Sequence, residues 1–160
     1  MNSPAPVCDN REQPYYLAGN GTLMMLAGLL CGLAVGAAPY PRLMLTAHIQ
    51  FLVNGMVSVF AALLLKTTLS VVGRRSGLLI VWAHVSAWAV CASEVAAAFW
   101  GATKALPIAG TQAGATGAAP WQESLVLACH VVSALFLIAA WTLIVLGVYA
   151  ARVRMRNEAS

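Results

Sequence analysis

Apolar residues in this chain do not alternate with polar ones. They run in four continuous blocks, residues 16–38, 43–65, 78–100 and 124–150. Each block exceeds the ~20 residues that an α-helix needs to cross a bilayer core of about 30 Å. A strand of a membrane barrel would alternate instead, so the blocks predict helices. The pattern therefore predicts an all-α fold, a bundle of four transmembrane helices.

Between the blocks the polar positions set the organisation. Residues 1–15 are polar, with prolines at 4, 6 and 14, and predict a flexible N-terminal segment. A membrane domain over 16–151 follows, then a basic tail over 152–160. PYPR at 39–42 predicts a tight link, and KTTLSVVGRRSG at 66–77 a short loop. The connection over 102–123 is long and rich in Gly, Ala and Thr; it either caps a cavity or is floppy. Gly28, Gly32 and Gly36 recur every fourth residue of the first block, a face of small residues that lets helix backbones approach closely. It serves either packing within the chain or an oligomer contact.

Composition strengthens the membrane reading. The 160 residues are 61% hydrophobic and 9% charged, where a soluble domain carries roughly a quarter charged residues. Arg11, Lys66, Arg74, Arg75, Arg152, Arg154 and Arg156 fall on one side of a four-span arrangement, and only Arg42 and Lys104 on the other. That asymmetry predicts that both termini and the 66–77 loop are cytoplasmic. It also makes the tail an anchor on anionic lipid and argues against nucleic acid as a partner. The AVGAA stretch at 34–38 resembles a signal-cleavage site, but the acidic head and long apolar run predict a retained span. Cys8, Cys31, Cys91 and Cys129 show neither metal spacing nor a disulfide framework.

Polar side chains inside a span are costly unless satisfied, so each is a candidate for function. The stretch TAHIQFLVNGM, residues 46–56, carries several. His48 and Asn54 stand roughly 120° apart on a helix and are expected to border one cavity, with Gly55 leaving space beside His48. A histidine so placed suits axial ligation of a planar cofactor or contact with a substrate. The plainer reading is that it donates to a backbone carbonyl of a neighbouring helix. Glu94 is the only acidic residue within a block, roughly 10 Å from the block's end by helix rise. It needs pairing, solvation or a proton, and an interhelical pair with His48 or His130 would supply one. His84, Trp88 and Cys91 share its broad face, expected to look inward. His130 sits near the start of the last block and is expected to be interfacial. Trp100 and Trp121 fit an aromatic belt. Thr46 and Gln50 are expected to satisfy neighbouring helices.

The segments LLCGLAVGA, PRLMLTAHIQFLVNGM and AAAFWGATKALPIAG…QES resemble those of the bacterial hydroxylaminobenzene mutases. The A-H-x5-N-G-M spacing is similar to that of styrene oxide isomerase, a related four-helix membrane enzyme. The likeness runs from Leu17 to Arg152, and the middle motif is its specific part. It implies a redox-neutral rearrangement, either epoxide to carbonyl or aryl hydroxylamine to aminophenol. It also implies haem b as Lewis acid, a homo-oligomer (a trimer), and an inner-membrane location. By this resemblance His48 would be the axial ligand of the haem iron, and Asn54 would line the substrate pocket. The chain departs from these relatives at Asn20, where they have histidine, at Val90, where they have asparagine, and near Glu94, where the isomerase has tyrosine. Asn20 and His84 are accordingly candidate pocket residues, and Glu94 joins Asn54 as a candidate catalytic residue.

The leading expectation is a multi-pass membrane isomerase acting on a small hydrophobic substrate. Two alternatives carry the same features. One is a haem-containing membrane oxygenase or oxidoreductase. The other is a non-catalytic structural or transport subunit whose polar residues only join helices.

Overall fold

The structure, a computed structural model, describes residues 12–68 and 72–158. The expected flexible N-terminal segment lies outside the described residues up to Arg11, as does Cys8. Five helices follow in order: α1 (Gln13–Leu33), α2 (Pro41–Thr68), α3 (Arg74–Trp100), the short α4 (Pro107–Gln112) and α5 (Pro120–Glu158), with a 3-10 turn at Val35–Ala37 after α1. Among the described residues there is no strand. Helices α1, α2, α3 and α5 are long and apolar enough to cross a membrane.

The helices outrun the apolar blocks. Helix α1 starts at Gln13 rather than at 16, with Pro14 in its first turn, where a missing N–H costs nothing. Helix α5 has 39 residues, a length of about 58 Å at helical rise, well beyond a bilayer core of about 30 Å. The basic tail is therefore a helical extension as far as Glu158. Backbone hydrogen bonding does not stop where the apolar composition does. Helix α3 ends where composition predicts, because Gly101 takes φ 72° and its N–H returns to Ala97 O.

Many large side chains point outward, and alanines line much of the interior beside a few large residues such as Leu17, Met24 and Ile80. Leu23, Leu26, Leu29, Leu33, Trp82, Leu135 and Ile138 are exposed, while Ala61, Ala62, Ala83, Ala87, Ala97, Ala98 and Ala140 are buried. In lipid, leucine gains little by leaving the surface, so close backbone approach and dispersion hold the helices. The tightest approach is α1 on α2. A Cβ on Gly21 would lie 2.5 Å from Gly55 O, and one on Gly55 would lie 2.7 Å from Gly21 O. Gly55 therefore leaves no open space beside His48, contrary to expectation. Gly28 abuts Phe51 and Leu52, and Gly32 abuts the His48 ring, whereas Gly36 meets nothing within 4 Å. The small-residue face of α1 thus packs within the chain.

The 102–123 connection is ordered. Both oxygens of the Glu123 carboxylate are engaged: Oε1 accepts from Thr103 N (3.0 Å) and Ala118 N (2.9 Å), and Oε2 from Lys104 N (2.8 Å). Leu106, Ala109, Ala113 and Ala115 pack on Ala38, Leu43, Met44, Ala47 and Ala98. Arg42 Nε donates to Gln112 Oε1 at 2.7 Å. The connection therefore caps the ends of α2 and α3 at the end of the bundle opposite the termini.

Candidate functional site

Each of the three histidines bonds a backbone carbonyl through Nδ1, His84 and His130 within their own helix and His48 across to α1. Nδ1 lies 2.7 Å from Gly28 O in His48, 2.8 Å from Ile80 O in His84 and 2.8 Å from Val126 O in His130. A carbonyl only accepts, so each Nδ1 carries the ring proton, and Nε2 is left as the atom that can accept or ligate.

The His48 bond runs from α2 to α1, so the expected donation to a neighbouring carbonyl is present. That bond also fixes the tautomer a metal ligand needs, because ligating imidazoles donate their other N–H to such acceptors. A Cβ on Gly32 would lie 2.7 Å from Nδ1 and 2.8 Å from Cε1, so glycine there is what admits the ring. Nε2 of His48 has no hydrogen-bond partner among the described residues. The ring is half-buried between α2 and α1, against Gly28 and Gly32.

Asn54 is 7% exposed, and its Nδ2 donates to Cys91 Sγ on α3 at 3.6 Å. Within one chain His48 bonds α1 and Asn54 bonds α3.

Helix α3 turns His84, Cys91 and Glu94 inward, as expected. Glu94 is 2% exposed, and its Oε1 lies 3.0 Å from His130 Nε2 on α5. The interhelical pair thus forms with His130. The His130 ring is 21% exposed and turned onto α3. Glu94 Oε2 and His84 Nε2 are buried without a partner among the described residues.

Asn20 links three helices. Its Nδ2 donates to Ser58 Oγ on α2 (3.2 Å) and His84 O on α3 (3.5 Å), and its Oδ1 accepts from Trp88 Nε1 (2.9 Å). Ser58 in turn donates to Leu17 O at 2.9 Å. Trp88 and Ser58 are structural partners that sequence reading left unassigned. Thr46 bonds its own helix at Arg42 O (3.1 Å), not a neighbouring one. Trp100 and Trp121 meet edge to face at 5.4 Å. Among the described residues no three His, Cys, Asp or Glu side chains converge on a position for a metal ion.

No curated protein and no solved structure matches the chain. The styrene oxide isomerase family model matches residues 13–149, nearly the whole membrane bundle, and the chain therefore belongs to the styrene oxide isomerase family.

Proposed function

We propose that this integral membrane protein is an isomerase that rearranges a small hydrophobic substrate without net redox change, using haem b bound through His48. The observation that carries the reading is the His48 geometry. Nδ1 is held by Gly28 O, the ring is admitted by Gly32, and Nε2 stands unpartnered among the described residues. These residues fit axial ligation of a planar cofactor. Bound there, haem iron would supply Lewis acidity toward a substrate oxygen.

The chain's own contribution is positioning and exclusion of water. In an epoxide rearrangement one C–O bond breaks, a hydride moves to the cation-like carbon, and the retained oxygen forms the carbonyl. In an aryl hydroxylamine rearrangement the N–O bond breaks, the oxygen bonds to a ring carbon, and that carbon's proton passes to nitrogen. Water would intercept either electron-poor species, so an apolar bundle favours the rearranged product. The Asn54 amide, held only by a long contact to Cys91 sulfur, is able to turn toward a substrate oxygen. Glu94 with His130 offers a group that holds or moves a proton. His48 faces α1 whereas Asn54 and Glu94 face α3 and α5, so this reading places the complete site in a homo-oligomer, a trimer by the resemblance.

The test is the purified protein after haem-replete expression. A Soret band and conversion of an aryl epoxide or aryl hydroxylamine to a product of equal mass are expected, both lost in His48→Ala. Full haem loading in His48→Ala, or an oxidised product, would overturn the reading.

A further inference from the structure

The connection between α3 and α5 carries no charged residue from Ala105 to Gln122. A water-facing segment of that length would hold about four at ordinary composition. Glu123, at its edge, spends its carboxylate on three backbone N–H groups of the connection itself. The backbone around α4 is likewise bonded from within. Gly110 N donates to Leu106 O (2.8 Å), Ala113 N to Ala109 O (2.9 Å), Gly114 N to Thr111 O (3.1 Å) and Ala115 N to Gly110 O (3.0 Å). Thr111 Oγ1 donates to Pro107 O at 2.9 Å, and Gln112 Oε1 accepts from Arg42. An uncharged segment that bonds its own backbone meets a requirement that lipid imposes and water does not.

Its position agrees. Leu106, Ala109 and Ala113 pack on Leu43, Met44, Ala47 and Ala98, and residues 43–47 lie about 3–9 Å along α2 from Pro41 at helical rise. Helix α4 is therefore alongside the first two turns of α2 rather than beyond its end. The Trp100–Trp121 pair marks the headgroup level at the same end of the bundle. Trp121 and Leu125, one turn apart and both exposed, continue that level into the outward apolar face of α5.

The outer side of α4 is apolar as well. Ile108 is 75% exposed, and with Pro107, Thr111 and Gln112 it lines an open groove of about 350 Å³. Arg42, bonded to Gln112 at 2.7 Å, sets a cation at the rim, where a lipid phosphate is its natural counter-charge. A second copy of the chain fits poorly. Six residues make a helix of about 9 Å, far short of the ~800 Å² per partner that a stable interface buries.

We infer that α4 is an interfacial membrane helix whose outer groove holds a phospholipid of the leaflet opposite the termini, with Ile108 in lipid rather than in water. It lies on the bilayer that the four long helices cross.

The experiment places a fluorescent NBD probe on Ile108→Cys in the full-length Cys8→Ser protein, reconstituted in phosphatidylcholine nanodiscs. Met155→Cys, on the charged extension of α5, is the aqueous reference, and Leu135→Cys, on its apolar face, is the lipid reference; both positions are exposed. The Cys8→Ser parent, carried through the same labelling, gives the background from Cys31, Cys91 and Cys129. A lipid-borne nitroxide is expected to quench the Ile108 probe several-fold more than the Met155 probe, and aqueous iodide several-fold less. An Ile108 probe that follows the Met155 probe puts the groove in water and overturns the inference. Protection from both quenchers gives the groove to a second copy and overturns it equally. If the label distorts α4, Ile108→Trp replaces it: added emission at short wavelength supports lipid burial, and water-like emission overturns it. Neither readout needs haem or turnover, so the result stands apart from the isomerase reading.

Discussion

Glu94 Oε1 and His130 Nε2 meet at 3.0 Å across the α3–α5 contact, the one ion-pair geometry between membrane-crossing helices among the described residues. Removing one member strands the other. His130→Leu leaves a buried carboxyl with neither oxygen partnered and is expected to cost about 3–5 kcal/mol. The double variant Glu94→Leu/His130→Leu, with both polar groups gone, is expected to be more stable than His130→Leu alone. Denaturation of the four proteins in one detergent gives the cycle. Additive single and double effects would mean that the contact couples nothing.

Gly32 on α1 and Gly36 in the 3-10 turn after it separate ring placement from the general effect of an added methyl. Gly32→Ala puts a methyl 2.7 Å from His48 Nδ1, so the ring must shift off the Gly28 carbonyl. Haem content per protein is expected to fall several-fold, with an overpacking cost of about 1–3 kcal/mol. Gly36→Ala meets nothing within 4 Å and is expected to keep both haem content and stability. Equal Soret absorbance in the two variants would remove Gly32 from the account of cofactor binding.

Four spans were legible because continuous apolar runs of bilayer length have few other folds available. The inward face of α3 was legible too, since Glu94 had to find a partner. Its partner was harder to read. Counted from Trp100 and from position 124, Glu94 and His130 each lie six residues inside the predicted spans, so antiparallel neighbours would bring them level. Which helices are neighbours is set by packing, and one sequence does not carry that. Gly55 was misread for the same reason: helical spacing placed it above His48 but could not show α1 pressed against it. The 102–123 connection was left open between capping a cavity and being floppy, because its organiser, Glu123, stands at the edge of a span and looks like an ordinary helix-start acid.

Glu123 gives the third prediction. Its carboxylate accepts three backbone N–H bonds, two at Oε1 and one at Oε2. Glu123→Gln preserves shape but turns one acceptor into a donor facing a donor. A loss of about 1–3 kcal/mol in local stability is expected, confined to the connection. Hydrogen exchange should quicken at Thr103, Lys104 and Ala118 while the cores of α2 and α3 stay protected. Unchanged exchange at those amides would show that apolar packing of Leu106 and Ala109 holds the connection alone.

His48 and Asn54 lie on faces of α2 that meet different helices, the first at Gly28 of α1 and the second at Cys91 of α3. If the complete site is shared between copies, one chain need not supply both residues. His48→Ala and Asn54→Ala homo-oligomers are each expected to lose most isomerase activity, by about a hundredfold for the lost ligand and less for the amide. Co-expressed and isolated together through two different tags, the mixed assemblies are expected to regain a measurable fraction, because some interfaces then pair an intact His48 with an intact Asn54. Activity no higher than that of the two single variants would place both residues in service of the same chain. Haem content near half of wild type in the mixed sample would show that the intact His48 copies were loaded, which makes an inactive result decisive.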